Sequence, residues 1–193
     1  EIANFNGRFK DGLAVFPTNA AANKKSIYAI TEDGRLAQLW DTDRWNIDFP
    51  TELAGQDLRF QGGLAVFPTD SPANKKVICA VTNDGRLAQI WDSDRWNVDF
   101  PAAAAGEQNL RFQGAPAVFP TNASARKKSI YILTTDGRLA QIWDTDKWNI
   151  DFPAEIAKFN GRFKGGVAVF PTKASANKKS IYVIAEDGRL AQL

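Results

Sequence analysis

The chain has 193 residues, 44% hydrophobic and 24% charged, and its 24 basic and 22 acidic residues leave a formal net charge of +2. This is ordinary globular composition. No run approaches the ~20 apolar residues of a membrane span, no signal-peptide pattern opens the chain, the absence of Met points to processing or trimming, and the single Cys excludes a disulfide framework or CxxC metal site. With no His the commonest general base, the catalytic triads and most zinc sites are gone, so the expectation is a protein that is not an enzyme and carries no cofactor or metal.

The first predicted strand is Leu13–Thr18, ended by Pro17, which cannot donate to a ladder. After an Ala/Asn/Lys loop comes Ser26–Thr31, rich in β-branched and aromatic residues. Asp33-Gly34 is a hairpin signal, because Gly accepts the positive φ such a turn requires. Arg35–Asp41 is the return strand, Thr42-Asp43 turns again, and Arg44–Pro50 is the fourth strand. A longer loop then leads into a second copy of the same order.

The copies are close. GRLAQLWDTDRWNIDFP from Gly34 returns as GRLAQIWDSDRWNVDFP from Gly85 and GRLAQIWDTDKWNIDFP from Gly137, and begins again at Gly188. Arg35, Arg86, Arg138 and Arg189 are spaced 51, 52 and 51 residues apart, and Leu13, Leu64, Pro116 and Val167 open a second block in phase. Each unit is too small to bury a core alone. Four antiparallel strands per ~50 residues, without helical periodicity, predict an all-β fold, a β-propeller built of ~51-residue four-stranded antiparallel blades. The repeats are 1–50, 51–101, 102–153 and 154–193, and the last stops before the equivalent of its final strand. The expectation is a longer array, or a homo-oligomer that completes the ring.

Side-chain alternation puts Leu36, Gln38 and Trp40 on one face of their strand. Trp40, Trp91 and Trp143 either pack between blades or line a sugar pocket at the junction. Trp45, Trp96 and Trp148 on the outermost strand have the same two readings. Gln38, Gln89, Gln141 and Gln192 are amides in apolar strands that must be hydrogen-bonded, to structure or to ligand. Asn46, Asn97 and Asn149, with Asp48, Asp99 and Asp151, extend the polar set along the fourth strand. Amides and carboxylates beside an indole suit a sugar, whose hydroxyls need planar partners and whose C–H face needs an aromatic plate.

Other motifs read as structure. Cys79 stands where other copies have Tyr28, Tyr131 and Tyr182, which marks a packing residue. Asp41–Asp48 fails the calcium-loop order, with Trp45 and Asn46 at its fifth and sixth places. Thr31–Gly34 fails the sialidase-type Asp box. The pairs Lys24-Lys25, Lys75-Lys76, Lys127-Lys128 and Lys178-Lys179 are expected in equivalent loops, as solvated charge or as an attraction for anionic glycans. With a net charge of +2 and no basic–aromatic patch, nucleic acid is not an expected partner.

GAPAVFPT (Gly114–Thr121) followed by SIYILTTDGRLAQIWDTDKW (Ser129–Trp148) resembles the blades of bacterial and fungal fucose-binding lectin propellers, and the likeness covers all four copies. It implies a propeller with sugar pockets between adjacent blades. In those lectins an Arg on the second strand and a Glu on the third hold the sugar, but the matching positions here are Ser26 and Ala37, and in the third copy Ser129 and Ala140. The aromatic component alone carries over, to Trp40, Trp45 and their repeats. The function expected is a multivalent carbohydrate-binding protein with glycan partners, in a secreted or extracellular setting. The alternative is a non-enzymatic protein-interaction scaffold. A glycoside hydrolase would need one specific carboxylate pair, and the acids recur in every copy.

Overall fold

The structure is a computed structural model, which describes residues 7–19, 24–39, 45–47, 58–70, 75–90, 96–98, 109–122, 127–142, 148–149, 161–173 and 178–193. The first sheet holds β1 (Phe9–Asn19), β2 (Lys24–Thr31), β3 (Leu36–Leu39) and β4 (Trp45–Ile47). The second holds β5 (Phe60–Asp70), β6 (Lys75–Thr82), β7 (Leu87–Ile90) and β8 (Trp96–Val98). The third holds β9 (Phe112–Asn122), β10 (Lys127–Thr134), β11 (Leu139–Ile142) and β12 (Trp148–Asn149). The last has three strands, β13 (Phe163–Lys173), β14 (Lys178–Ala185) and β15 (Leu190–Gln192). Every sheet is an antiparallel meander in sequence order, so each is one propeller blade, and the expected fold class is the observed one.

The first strand of each blade is longer than expected. It begins at Phe9 because the Gly12 region forms a bulge rather than a loop, with register shifts between Asp11 and Ala14 and a left-handed Gly12 (φ 70). These first strands neighbour one another, β1 against β5 and β5 against β9, and the approach is close. A Cβ on Gly63, itself at φ +65, would lie 2.3 Å from the Cα of Ala115. Only Gly fits there.

The Asp-Gly hairpins do two jobs. Gly34 closes the turn, its amide donating to the Thr31 carbonyl at 2.9 Å, at a φ of 86 that residues with a side chain rarely adopt. Its own carbonyl accepts the Phe60 amide of the next blade at 2.7 Å. Phe112 to Gly85 (2.7 Å) and Phe163 to Gly137 (2.8 Å) repeat that stitch.

Three cores lie between blades rather than within them. Phe16, Tyr28, Ile30 and Leu36 pack on Phe60, Leu64, Ile78 and Ala80. Val77, Cys79, Val81 and Leu87 pack on Phe112, Ile130, Ile132 and Ala140. Phe119, Tyr131, Leu133 and Leu139 pack on Phe163, Ile181 and Val183. One face of each blade thus meets the opposite face of the next, and each fully buried aliphatic or aromatic side chain contributes about 1.5–3 kcal/mol. On the outer faces of the first and last blades, by contrast, Phe9, Leu13, Val15, Phe170, Ile184 and Leu190 are exposed among the described residues.

Candidate functional site

Each junction contains a row of residues set by strand register. In blade 1, Ala14 faces Tyr28, Tyr28 faces Gln38, and Gln38 faces Asn46 across β1–β4. Directly opposed residues share one side of a sheet, and for Ala14, Tyr28 and Gln38 it is the side that packs on the next blade. Gln38 is buried, and its Nε2 donates to the Tyr28 hydroxyl at 2.8 Å. Blade 3 repeats this, with Gln141 donating to Tyr131 at 2.7 Å. Burial pushes the Tyr131 phenol up to about 12, and a hydrogen bond with Ser129 works the other way. In blade 4, Gln192 bonds the Ser180 hydroxyl at 3.2 Å.

Blade 2 has the same row with different chemistry: Ala65, Cys79, Gln89 and Asn97. Val77 takes the place of the serine as well. Gln89 is completely buried, and neither its Nε2 nor its Oε1 has a hydrogen-bond partner. Burial also pushes the Cys79 thiol up to about 12, against the pull of the Lys128 ammonium from the next blade. At that value the thiolate is inaccessible at neutral pH, as a packing residue requires.

The remaining sugar-site candidates divide in two. Trp45, Trp96 and Trp148 lie on the outermost strands, where they pair in register with Leu39, Ile90 and Ile142, while Asn46, Asn97 and Asn149 pair with Gln38, Gln89 and Gln141. Trp40, Trp91, Trp143, Asp48, Asp99 and Asp151 lie outside the described residues. Ser26, Ala37, Ser129 and Ala140, where the lectin resemblance would place an Arg–Glu clamp, are all buried.

The lysine pairs begin strands β2, β6, β10 and β14 instead of standing in loops. Two of the second lysines, Lys76 and Lys179, reach the preceding blade. Lys76 Nζ lies 5.9 Å from the centroid of the Phe16 ring, and Lys179 Nζ lies 5.3 Å from Phe119 and 5.8 Å from Tyr131. These are cation–π contacts within junctions. The sequence period did not reveal them because their partners sit one blade back.

A polar group that sequence reasoning used only as a phase marker surrounds the hairpins. Thr31 Oγ1 donates to Asp33 at 2.5 Å and accepts the Arg35 amide at 2.8 Å, while Arg35 Nε pairs with Asp33 at 2.7 Å. The Thr31 hydroxyl and Arg35 hold the Asp33 carboxyl below its ordinary 3.8. Asp84 and Asp136 are lowered too: burial opposes the shift, but Thr82 with Arg86, and Thr134 with Arg138, outweigh it. In blade 3 a cleft of about 420 Å³ is lined by Asn109, Arg111, Thr134, Asp136 and Arg138. Such a fork of guanidinium and carboxylate groups can hold hydroxyl or anionic ligands. The signal was present, since an Arg-Phe pair precedes each blade (Arg8, Arg59, Arg111, Arg162) in phase with the Asp-Gly-Arg turns. Among the described residues no group of three His, Cys, Asp or Glu could hold a metal ion, and no helix is long and apolar enough to cross a membrane.

No family model matches the sequence, and no characterised protein sequence matches it. Solved structures do match the fold. The BP39L lectin from Burkholderia pseudomallei has a TM-score of 0.57 at 18% identity, over 93% of this chain and 51% of that one. A variant of the Aleuria aurantia lectin, in complex with alpha-methyl-L-fucoside, has 0.54 at 14%, over 96% and 61%. BBS1N in complex with ARL6DN has 0.55 at 11%, over 94% and 50%. The chain therefore spans about half the length of the first of these structures, and it has the β-propeller fold found in these lectins.

Proposed function

We propose that the chain is a multivalent carbohydrate-binding protein, not an enzyme, with a pocket repeated at its blade junctions. The observation that carries this reading is the recurrence of one aromatic–amide pair on the outermost strand, Trp45-Asn46, Trp96-Asn97 and Trp148-Asn149, whose asparagines pair in register with the buried Gln38, Gln89 and Gln141. Trp40, Gln38, Asp48 and their repeats complete the proposed set, with glycans as partners. The fold is one in which the Aleuria aurantia lectin holds alpha-methyl-L-fucoside. Since the clamp positions carry Ser and Ala here in place of Arg and Glu, the sugar is held chiefly by the Trp, Asn and Asp groups. Repetition supplies avidity without strong single-site contacts.

A glycan array and haemagglutination inhibited by a simple sugar test this. Binding is expected, and a triple Trp45→Ala, Trp96→Ala, Trp148→Ala variant that retains its circular dichroism should lose it. Silence of the folded protein across a broad array would overturn the reading. A second reading, a protein-interaction scaffold, draws on the likeness to BBS1N, whose structure is a complex with ARL6DN. It predicts capture of one protein partner, undisturbed by free sugars.

A further inference from the structure

The exposed faces of the first and last blades match the two halves of the buried junctions. On blade 4, Phe170, Ile184 and Leu190 are 63%, 38% and 70% exposed, while their repeat equivalents in blade 3, Phe119, Leu133 and Leu139, are 6%, 2% and 0%. On blade 1, Phe9 and Leu13 are 42% and 74% exposed, while the equivalent Phe60 and Leu64 in blade 2 are 0% and 7%. Gly188 also holds the left-handed turn (φ 90) whose carbonyl takes the next blade's Phe amide at the three internal junctions. Contiguous apolar patches of this kind mark interaction surfaces.

We propose that these two faces form one interface, and that two copies of this chain close head to tail into a ring through it. The occupant is a second copy because each internal junction already shows what covers such a face: the opposite face of another blade. Like never meets like there, so the contact is between unlike faces, and such a contact repeated in two copies makes a closed ring when the rotation permits. Two copies favour closure because four described blades from each make eight, within the about 4–8 blades over which propellers close, and three copies would exceed it. Such a ring has three junctions within each copy and two between copies.

Sedimentation equilibrium tests the proposal. The wild-type chain should weigh twice the 21.3 kDa of one copy. Leu190→Asp and Leu13→Asp should each give a species of single mass with unchanged circular dichroism, since both side chains are exposed in one copy. Mixed at high micromolar concentration, the two variants should associate again, because each retains the face the other has lost. A wild-type chain of single mass at every concentration overturns the proposal, as does a Leu190→Asp chain that remains doubled. A ladder of larger masses overturns the closed ring, and failure of the mixture to associate overturns the pairing of unlike faces.

Discussion

The junction between blades 2 and 3 shares its backbone register with the junctions on either side, and yet its interior is different. At the outer junctions a tyrosine hydroxyl gives the buried glutamine a partner, Tyr28 for Gln38 and Tyr131 for Gln141. At the middle one Val77 and Cys79 replace Ser and Tyr, and Gln89 remains with both polar atoms unanswered. A buried, unpaired amide costs about 1–3 kcal/mol. The comparison teaches that a repeat preserves the frame of a junction more faithfully than its polar network, and that one blade can lose half of a hydrogen-bonded pair while its neighbours keep theirs.

The largest expected effect comes from removing the ring itself. Tyr131→Ala should lower stability by about 3–5 kcal/mol, whereas Cys79→Ala should cost about 1 kcal/mol, as read from urea unfolding. Equal losses at the two sites would erase the distinction between the junctions. Next in size is a change of sign. Gln141→Met removes the hydrogen bond to the Tyr131 hydroxyl, which keeps its bond with Ser129, and should destabilise by about 0.5–1.5 kcal/mol, while Gln89→Met removes an orphan and should be neutral or stabilising. A loss at Gln89 equal to that at Gln141 would show that the middle amide has a partner in solution.

A smaller readout, chemical rather than energetic, is thiol reactivity. Cys79 should resist an aromatic disulfide reagent in the native protein and react once urea unfolds it, because its thiol is buried and pushed up to about 12. Rapid labelling at neutral pH without unfolding would mean that the middle junction opens. The smallest effect should be blind to which junction is involved. Asp33, Asp84, Asp136 and Asp187 are all held below the ordinary 3.8 in the folded chain. A carboxylate with a depressed folded value stabilises above its unfolded value and loses that contribution as pH falls through the folded one. Thermal stability should therefore be level near neutrality and decline below about pH 4. A decline that begins near pH 6 would place the responsible groups elsewhere.

Much of this architecture was legible in the sequence, for a physical reason. The Asp-Gly-Arg turns carry backbone demands that Gly meets most readily, so they fixed the period, and the hydrophobic strands between them fixed the blade. The start of β1 at Phe9 was not legible, because a Gly bulge and a loop are written with the same residues. Cys79 could be read as a packing residue from its place among tyrosines. Its consequence for Gln89 could not, since that follows from register, which puts the two side by side across β6 and β7. The partners of Lys76 and Lys179 belong to the preceding blade, and a period of ~51 residues says nothing about which side chains meet across it. For the sugar set, register pairs the asparagines with the buried glutamines and the tryptophans with Leu39, Ile90 and Ile142, a division that the linear order Trp-Asn conceals.

The stitch from each hairpin glycine to the next blade's phenylalanine has one more implication. The chain between these two points is one residue longer from Gly85 to Phe112 than from Gly34 to Phe60 or from Gly137 to Phe163, and the hydrogen bond is as short in every case. Spacing from blade to blade is thus metered at the turn rather than by the length of the connection. Connections between blades are consequently where this scaffold tolerates insertion, so a peptide tag or sensor loop spliced there should leave the alignment of the blades undisturbed.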